Sequence, residues 1–405
     1  MDHVTILIFL AGLLCSFVSA WAATRLLTYL APKLGWMDEP DYRKVHETPI
    51  PRLGGIGIFC GFSAGILFFG AIGYFLPEYI EKVPLPSRFF LVGTFMVGLL
   101  GLVDDIRGID FKQKLVFQCL IAVFMVLAGY RFAPDFTVFT VLAPYSEYIC
   151  IPITFLWIIG VMNALNLIDG LDGLAGGLSL IALITITLCC LALGGGVELT
   201  LFFAMAGALL GFLRLNYHPA SIFMGDTGSL FLGFVVSTYA LSTTQQVGNV
   251  LLFFIPVLAI MVPVFDTLSS MARRKLRGRP MFYPDKDHIH HRLRYHKHLS
   301  HQDTVLVLYA IASVFGLCAV LIAWLPPVWG VLPLAGSGLF LFVVMKKLEY
   351  LDYKGWKAAR RRARQANMRP GLRLGGLTGK NIRWDPPSRK NVPRSGGLLA
   401  ALLKR

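Results

Sequence analysis

The sequence predicts an all-α, polytopic integral membrane protein, and three observations lead to that fold class. Hydrophobic residues make up 56% of the 405-residue chain and charged residues only 15%, whereas soluble domains carry about 25% charged residues. Apolar runs long enough to cross a bilayer recur along the chain. Lysine and arginine concentrate in alternate connecting segments. This composition excludes an ordinary water-soluble enzyme.

The apolar runs predict about eleven membrane helices. We interpret the first as a retained helix, because Asp2 and His3 stand where a cleaved signal peptide would carry basic residues. The predicted spans are 4–30, 54–76, 88–103, 113–129, 148–166, 174–193, 198–213, 229–243, 249–271, 304–324 and 328–345.

The positive charge predicts the orientation of these helices. One set of alternate segments holds nearly every lysine and arginine, namely 31–53, 104–112, 167–173, 214–228, 272–303 and the tail from Lys346. By the positive-inside rule these segments are cytoplasmic and the N-terminus is external, as expected in a bacterial inner membrane. Residues 1–345 then form one transmembrane domain. Residues 346–405 form a basic, partly disordered cytoplasmic tail that attracts anionic lipid headgroups rather than nucleic acid.

The first cytoplasmic loop contains DEPDYRKVHETPIPRLGG. Its prolines exclude a continuous helix, and Lys44, His46 and Arg52 could bind phosphate oxygens. The alternative is a basic loop that only sets topology.

A pair of aspartates, Asp104 and Asp105, ends the third predicted helix, and Lys114 follows at the start of the next. Adjacent carboxylates repel each other, so they favour a cation, a proton partner or open water nearby. A solvated helix end is the alternative.

The stretch NALNLIDGLDGLAGG follows the fifth apolar run and places Asn166, Asp169 and Asp172 at a membrane helix end. Polar groups are costly there and are functional candidates by default. The glycines let the backbone loosen where the carboxylates lie. These features are typical of a cation or phosphate site.

Two further polar segments are predicted on the same side. NYHPASIFMGDTGSLFLG carries Asn216 and Asp226, and Asp226 could bind metal, cap the eighth helix, or do both. DHIHHRL carries four candidate residues whose spacing fits no usual zinc pattern; they are His288, His290, His291 and Arg292. A cationic phosphate clamp is favoured over zinc, with a solvated basic segment as the alternative.

Taken together, these groups favour phosphoryl transfer. Hard oxygen ligands suit Mg²⁺, with Mn²⁺ as a substitute, and phosphoryl transfer depends mainly on positioning and charge neutralisation. The lack of a Walker sequence disfavours an ATP-driven pump. A site at the membrane surface suits one water-soluble and one lipid-borne substrate.

At these residues the sequence resembles the polyprenyl-phosphate N-acetylhexosamine-1-phosphate transferase family of glycosyltransferase 4 type, in its WecA-like branch. The matching pieces lie between residues 43 and 293 and are RKVHETPIPRLGG, GLVDD, NALNLIDGLDGLAGG, NYHPASIFMGDTGSLFLG and DHIHHRL. The resemblance implies a cytoplasmic cleft that transfers a sugar 1-phosphate from a UDP-N-acetylhexosamine to undecaprenyl phosphate. It also implies release of UMP and a Mg²⁺ cofactor.

The resemblance further implies roles for individual residues. The metal would be held by Asp226, with Asn166 and Asp169 assisting. The catalytic set would be Asp104, Asp105, Asp169, Asp226, His290 and His291. Substrate-binding residues would be Lys44, His46, Arg52, Lys114, Asn166, Asp172, Asn216, His288 and Arg292. The aspartate pair resembles the one to which the family assigns activation of the lipid phosphate, although that phosphate is mostly dianionic at neutral pH already.

The motif DHIHHRL differs from the PIHHHFE-like form of the muramoyl-pentapeptide branch, so the expected donor is a simple UDP-N-acetylhexosamine, UDP-GlcNAc first. Direct attack by the lipid phosphate is preferred over a covalent intermediate, and a homodimer is left open. The rival of another class is a secondary transporter of an anionic substrate, since glycine-broken helices and membrane carboxylates are also transporter features. The clustering of polar groups on one side disfavours that rival.

Overall fold

The computed structural model describes residues 2–39, 48–132, 145–194, 199–244, 250–276 and 288–348. Within these residues the fold is all-α, apart from one short hairpin. Two predicted loop residues, Lys44 and His46, lie outside the described residues, as does the predicted tail beyond residue 348.

Thirteen helices are present in the described part of the chain. In chain order they are α1 His3–Leu34, α2 Gly54–Phe75, α3 Arg88–Arg107, α4 Phe111–Leu127, α5 Ser146–Ile168, α6 Leu174–Ala192, α7 Leu199–Asn216, α8 Gly225–Ala240, α9 Phe254–Ala259, α10 Met261–Leu276, α11 Ile289–His296, α12 His301–Trp324 and α13 Pro327–Lys347. Between α1 and α2, β1 Met37–Asp38 pairs antiparallel with β2 Ile50–Pro51.

Each of the eleven predicted apolar segments coincides with helical structure. Eight of the described helices have the length and hydropathy needed to cross a bilayer, and the pair α9–α10 would make a ninth span. Helices α4 and α8 contain 17 and 16 residues, so they are about 26 and 24 Å long at 1.5 Å per residue. They are shorter than the hydrocarbon core, about 30 Å thick. The chain is therefore a multi-pass membrane protein.

The ninth predicted span, 249–271, is not one straight helix. The chain bends by 83° between α9 and α10, where Ile260 leaves the helical conformation with φ −121° and ψ 29°. Pro256 and Pro263 flank this bend, and each lacks the N–H that would continue the helical hydrogen-bond ladder. The bend turns α10 away from α9, and α10 carries the buried carboxylate of Asp266.

Helix α8 is the centre of the bundle. Every residue from Thr227 to Ala240 is buried, because α8 packs against α2, α3, α5 and α6. Its first turn lies so close to α2 that a Cβ atom on Gly55 would be 2.1 Å from the Gly228 nitrogen. A helix that is apolar on all sides is a buried helix. This one has Asp226 in its first turn.

Main-chain hydrogen bonds bring several predicted cytoplasmic segments together at one end of the bundle. Phe223, just before α8, donates to the Pro51 carbonyl of β2 at 2.7 Å and accepts from the Gly54 N–H of α2 at 2.9 Å. The Gly55 N–H donates to the Met224 carbonyl at 2.8 Å. The first loop and the segment before α8, far apart in the chain, therefore form one surface around the start of α8.

Candidate active site

The carboxylate of Asp226 lies at the centre of a polar cluster formed by four helices. Its Oδ1 atom accepts hydrogen bonds from Lys114 Nζ at 2.8 Å and from Asn166 Nδ2. Lys114 Nζ also lies 2.7 Å from Asp104 Oδ2, and Asn166 Nδ2 also donates to Ser229 Oγ at 2.9 Å. The ends of α3, α4, α5 and α8 thus contribute to one cluster, which brings together four of the residues proposed from the sequence.

The carboxylate of Asp105 holds the N-terminus of α8. Its Oδ1 accepts from the Asp226 N–H at 2.9 Å, and its Oδ2 accepts from the Thr227 N–H at 2.9 Å and the Thr227 hydroxyl at 2.6 Å. The first N–H groups of a helix have no partners within it, and Asp105 supplies acceptors from another helix. Arg52 donates to the Asp105 carbonyl oxygen. Only 5% of the surface of Asp105 is exposed. This buried carboxylate therefore fixes the main chain at Asp226 and so orients the Asp226 side chain.

Its neighbour Asp104 is also bound within the protein. Oδ1 accepts from the Ile109 N–H at 2.9 Å and Oδ2 pairs with Lys114. Each carboxylate oxygen of the aspartate pair therefore has a protein donor. Activation of the lipid phosphate by this pair stays a prediction, and the geometry favours a role in organising Lys114 and Asp226.

In contrast, the carboxylate of Asp169 has no hydrogen bond or ion pair with any residue that the structure describes. It follows the last residue of α5. Desolvation of this half-buried carboxyl, together with the negative charges of Asp226, Asp105 and Asp172, raises the pKa of Asp169 to about 7. A carboxyl that no cation in the described ranges neutralises is the natural place for a bound cation.

The residues present fit a divalent cation of the hard class. Asp226 Oδ2 forms no hydrogen bond within the described ranges, so it and the Asp169 carboxylate offer two oxygen ligands. Mg²⁺ typically binds through one or two carboxylates, with water and substrate phosphate completing its shell. The predicted third ligand, Asn166, lies beside Asp226, to which its Nδ2 donates.

The loop 169–173, between α5 and α6, is anchored through Asp172. The Asp172 Oδ2 atom accepts from His218 Nδ1 at 2.6 Å and from the Ala220 N–H at 3.2 Å. The Asp172 N–H donates to His301 Nε2 at 2.9 Å. The chain after α7 and the start of α12 therefore hold this loop in place.

The main chain of the same loop is also held by two hydrogen bonds at Gly173. Its N–H donates to Asn216 Oδ1 at 3.0 Å, and its carbonyl accepts from the Tyr309 hydroxyl at 2.5 Å. Asn216 is only 3% exposed and also donates to the Ile222 carbonyl at 2.8 Å. Because both polar atoms of this amide bond to main-chain groups, any effect of Asn216 on the predicted diphosphate contact would pass through the loop.

Asp172, His218 and His301 form the one group of three or more His, Cys, Asp or Glu side chains in the described chain whose ligand atoms lie within 4.8 Å of one another. The two imidazole rings stack with centroids 4.1 Å apart. His301 Nε2 already accepts the Asp172 N–H, so its lone pair is not directed at a metal. The group acts as a hydrogen-bonded support.

The predicted histidine segment meets the loop 169–173 through His290. A Cβ atom on Gly170 would lie 2.8 Å from His290 Nε2, so the two are in contact. Burial, aided by the nearby His291, His288 and Arg294, lowers the pKa of His290 to about 3. This imidazole is neutral at pH 7, so it would contribute hydrogen bonding rather than the charge expected of a cationic clamp.

The other residues of this segment are placed differently. The rings of His290 and His291 are 4.3 Å apart, and His288 binds Asp266 of α10. Arg292 is buried and donates to the Leu348 carbonyl at 2.9 Å, so it points toward the end of α13. The four residues therefore do not act as one uniform clamp.

Four residues around the cluster are absent from the sequence prediction: Asp266, His218, His301 and Tyr309. Asp266 could have been found, because it is an ionisable residue inside the predicted span 249–271 and such residues are functional candidates by default. The other three have no local pattern that distinguishes them. Their importance comes from distances to the loop 169–173.

Residues 87–244 match the family model described as Glycosyl transferase family 4. The chain is 39% identical over 309 residues to the probable undecaprenyl-phosphate N-acetylglucosaminyl 1-phosphate transferase of Bacillus subtilis, covering 76% of this chain and 83% of that protein. The range 87–244 that matches the family model includes the cluster around Asp226.

Two further relatives are similar over most of their length. The undecaprenyl-phosphate alpha-N-acetylglucosaminyl 1-phosphate transferase of Salmonella typhimurium is 31% identical, covering 89% of this chain and 98% of that protein. The decaprenyl-phosphate N-acetylglucosaminephosphotransferase of Mycobacterium tuberculosis is also 31% identical, covering 74% and 78% respectively. These likenesses extend well beyond single motifs.

Proposed function

Because the chain belongs to glycosyl transferase family 4, we propose that it transfers N-acetylglucosamine 1-phosphate from UDP-GlcNAc to undecaprenyl phosphate and releases UMP. Two of the relatives' names specify N-acetylglucosaminyl 1-phosphate transfer, the third specifies N-acetylglucosamine phosphotransfer, and all three specify a polyprenyl phosphate. The observation that carries the proposal is the cluster of Asp226, Asp169 and Lys114 at one end of a membrane bundle. The reaction would be a first membrane step of cell-envelope polysaccharide synthesis.

The relatives' names also support the choice of substrates. Those from Bacillus subtilis and Salmonella typhimurium specify undecaprenyl phosphate, and that from Mycobacterium tuberculosis specifies decaprenyl phosphate. All three names contain N-acetylglucosamine or its glycosyl form, which favours UDP-GlcNAc over the donor of the muramoyl-pentapeptide branch. The expected location is the bacterial inner membrane with the cluster on the cytoplasmic side, where UDP-sugars are made.

The proposed cofactor is Mg²⁺, held by Asp226 and Asp169 with Asn166 beside them. When bound, it would supply positive charge against the diphosphate of the donor. The support is the pair of carboxylates itself: among the residues that the structure describes, Asp226 shares one cation, Lys114, with Asp104, and Asp169 has none.

In the proposed reaction a phosphate oxygen of the lipid attacks the β-phosphorus of UDP-GlcNAc, and the bond from that phosphorus to the UMP oxygen breaks. The lipid phosphate needs little help from a base, because its second pKa is near 6. The protein's task is to align the two phosphates and offset their charges. Lys114, which bridges Asp104 and Asp226, is placed to balance charge at that point.

We assign recognition of the nucleotide to the loop 169–173, which forms hydrogen bonds with four side chains, those of His218, His301, Asn216 and Tyr309. A preformed loop loses less conformational entropy when it binds its ligand. His290, which contacts Gly170, would offer a neutral hydrogen-bonding group at the donor.

The experiment is to incubate the purified protein with UDP-GlcNAc, undecaprenyl phosphate and Mg²⁺, and to measure UMP and the lipid-linked sugar. Asp226→Asn should lower the rate by about a hundredfold or more, as loss of a key electrostatic group does, while the protein still inserts. Asp2→Asn is the matched control, because Asp2 bonds to Thr5 and Lys82 at the start of α1 and contacts no residue of the cluster among the described contacts. Absence of product with every UDP-N-acetylhexosamine would refute the proposal, and a near-normal rate for Asp226→Asn would refute the metal assignment.

A further inference from the structure

Asp266 is a buried carboxylate that connects α10 to the histidine segment. It lies within α10 and is only 1% exposed. Its Oδ1 accepts from the Ile289 N–H at 2.7 Å, and its Oδ2 accepts from His288 Nδ1 at 2.9 Å. Each carboxylate oxygen therefore accepts a hydrogen bond at the N-terminus of α11, from Ile289 or from the preceding residue, His288.

These two hydrogen bonds stabilise the N-terminus of α11, a short helix that lacks a capping bond of its own. The helix α11 has eight residues, and its N-cap residue, His288, forms no side-chain capping bond. Short helices are marginal without tertiary support, and their first N–H groups need acceptors. Asp266 supplies that acceptor from α10, just as Asp105 does for α8 from α3.

The support extends from Asp266 to the candidate active site in two steps. The His288 and His290 rings are nearly parallel, with centroids 5.9 Å apart. His290 then contacts the loop 169–173 at Gly170. On the other side, α10 packs against α5, the helix that carries Asn166. A shift of α11 relative to α10 would therefore move His290 relative to Gly170 and the adjacent Asp169.

We propose that Asp266 is a positioning residue for the transfer reaction, which fixes the start of α11 and thereby holds His290 against the donor-binding loop 169–173. The inference rests on the proposed function, since it assigns that loop to the donor nucleotide. Asp266 does not touch substrate in this assignment. Its effect passes through His288 and the Ile289 N–H.

The test compares Asp266→Asn, His290→Ala and the double variant by initial-rate kinetics. A displacement of about an ångström can cost up to a hundredfold in rate, so Asp266→Asn should lower kcat/KM for UDP-GlcNAc by about tenfold or more. The KM for undecaprenyl phosphate should change little. In the His290→Ala background, Asp266→Asn should cause no further loss, because the positioned group is already gone. A purely structural role would give equal losses in both backgrounds and would refute the inference.

Two additions keep the test decisive. His288→Asn keeps the Asp266–Ile289 bond and should give a smaller donor-selective loss, which covers the case that Asp266→Asn fails to fold. Asp2→Asn is the matched control, because Asp2 also accepts from a helix N-terminus, Thr5 N–H at 2.7 Å, but caps α1 far from the cluster. It should leave the kinetics unchanged. A donor effect equal in Asp2→Asn and Asp266→Asn would overturn the inference.

Hydrogen exchange separates this inference from the proposed function. Asp266→Asn should speed exchange in peptides covering 289–296 and 169–173, and Asp2→Asn should speed neither. If the wild-type protein transfers no sugar phosphate but this coupled exchange is seen, the proposed function fails, while the structural coupling of Asp266 to the loop 169–173 stands without a role in transfer. If the wild-type protein is active and Asp266→Asn changes neither the kinetics nor the exchange at 169–173, the positioning role is refuted.

Discussion

Asp169 differs from the other carboxylates of the cluster in having no donor within the described chain. Asp104, Asp105 and Asp226 each accept hydrogen bonds from neighbouring groups. Asp169 instead faces negative neighbours, and its pKa is raised to about 7. Ionisation of Asp169 and cation binding should therefore be coupled, because a cation must displace the proton.

We predict that the Mg²⁺ concentration for half-maximal activity rises as the pH falls below about 7. Below its pKa Asp169 is protonated in the cation-free protein, so Mg²⁺ competes with one proton and its affinity drops by up to about tenfold per pH unit. Above that pH the carboxylate is ionised and the dependence should flatten. The measurement is a Mg²⁺ titration of activity between pH 5.5 and 8.5, a window chosen to span the pKa of about 7.

Asp169→Asn is the informative comparison for this titration. The lipid phosphate also has a pKa near 6, and that contribution stays in both proteins. The variant should need more Mg²⁺ at every pH and should lose the additional pH dependence. Identical pH dependence in the wild type and the variant would show that Asp169 does not compete with the metal.

The helices α8 and α11 are anchored at their N-termini in the same way. Both α8 and α11 begin against a buried carboxylate from a different helix, Asp105 for α8 and Asp266 for α11. Each carboxylate fills N–H groups that would otherwise be left without partners. The first residues of a helix are thereby fixed to the rest of the bundle, and those residues carry Asp226 in one case and precede His290 in the other.

The close packing of the first turn of α8 against Arg52 and Asp105 depends on Gly225, the residue that precedes Asp226. Gly225 has φ +73°, and a Cβ atom there would lie 2.2 Å from the Arg52 carbonyl oxygen and 2.7 Å from Asp105 Oδ2. Gly194 has a similar backbone, φ +66°, with nothing within 4 Å of such an atom. A substitution at either glycine would therefore carry the energetic cost of a side chain in the left-handed backbone region. Only at Gly225 would the new Cβ atom also clash with neighbouring atoms.

We predict that Gly225→Ala abolishes most activity and lowers thermal stability, whereas Gly194→Ala has only the backbone cost of about 1–2 kcal/mol. The Cβ atom at position 225 would push α8 away from Asp105, and main-chain and carboxylate atoms cannot move aside cheaply. The measurements are transfer rate and thermal unfolding in detergent. Equal effects of the two substitutions would show that the packing at Gly225 is unimportant.

At the scale of the whole molecule, the helices bring predicted loops that are distant in the chain to one end of the bundle. The hydrogen bond from Lys114 to Asp226 joins residues 112 positions apart, and that from Asn166 to Asp226 joins residues 60 apart. Asp104, Asp169 and Asp226 all come from segments that the positive-inside rule predicts on the cytoplasmic side.

We predict that a reporter fused after Lys346 is cytoplasmic and that one fused after Lys82 is external. The reason is the excess of lysine and arginine in the segments on the side of Lys346. Activity of fused alkaline phosphatase and fluorescence of a fused fluorescent protein check the two locations. A cytoplasmic signal at both positions, or an external signal after Lys346, would place the cluster on the wrong side for UDP-sugars.

The sequence predicted positions of helices better than their shapes. Length and hydropathy located every apolar segment, because crossing a membrane demands a continuous apolar run. The bend of 83° between α9 and α10 was not predicted, because 249–271 reads as one apolar run. Pro256 and Pro263 lie in that run, but prolines are tolerated within membrane helices, so they do not by themselves predict a bend.

By itself, the sequence determined the fold class, the resemblance to a family and the residue types of the site, since these follow from composition and short motifs. Only the tertiary structure decided which carboxylates have partners. Asp105 and Asp266 accept hydrogen bonds from the N-termini of α8 and α11, and Asn216 accepts one from the loop 169–173. The carboxylate of Asp169 has no donor in the described chain. The reason is physical: hydrogen bonding and charge compensation depend on distances of a few ångströms between segments far apart in the chain, and local sequence does not encode those distances.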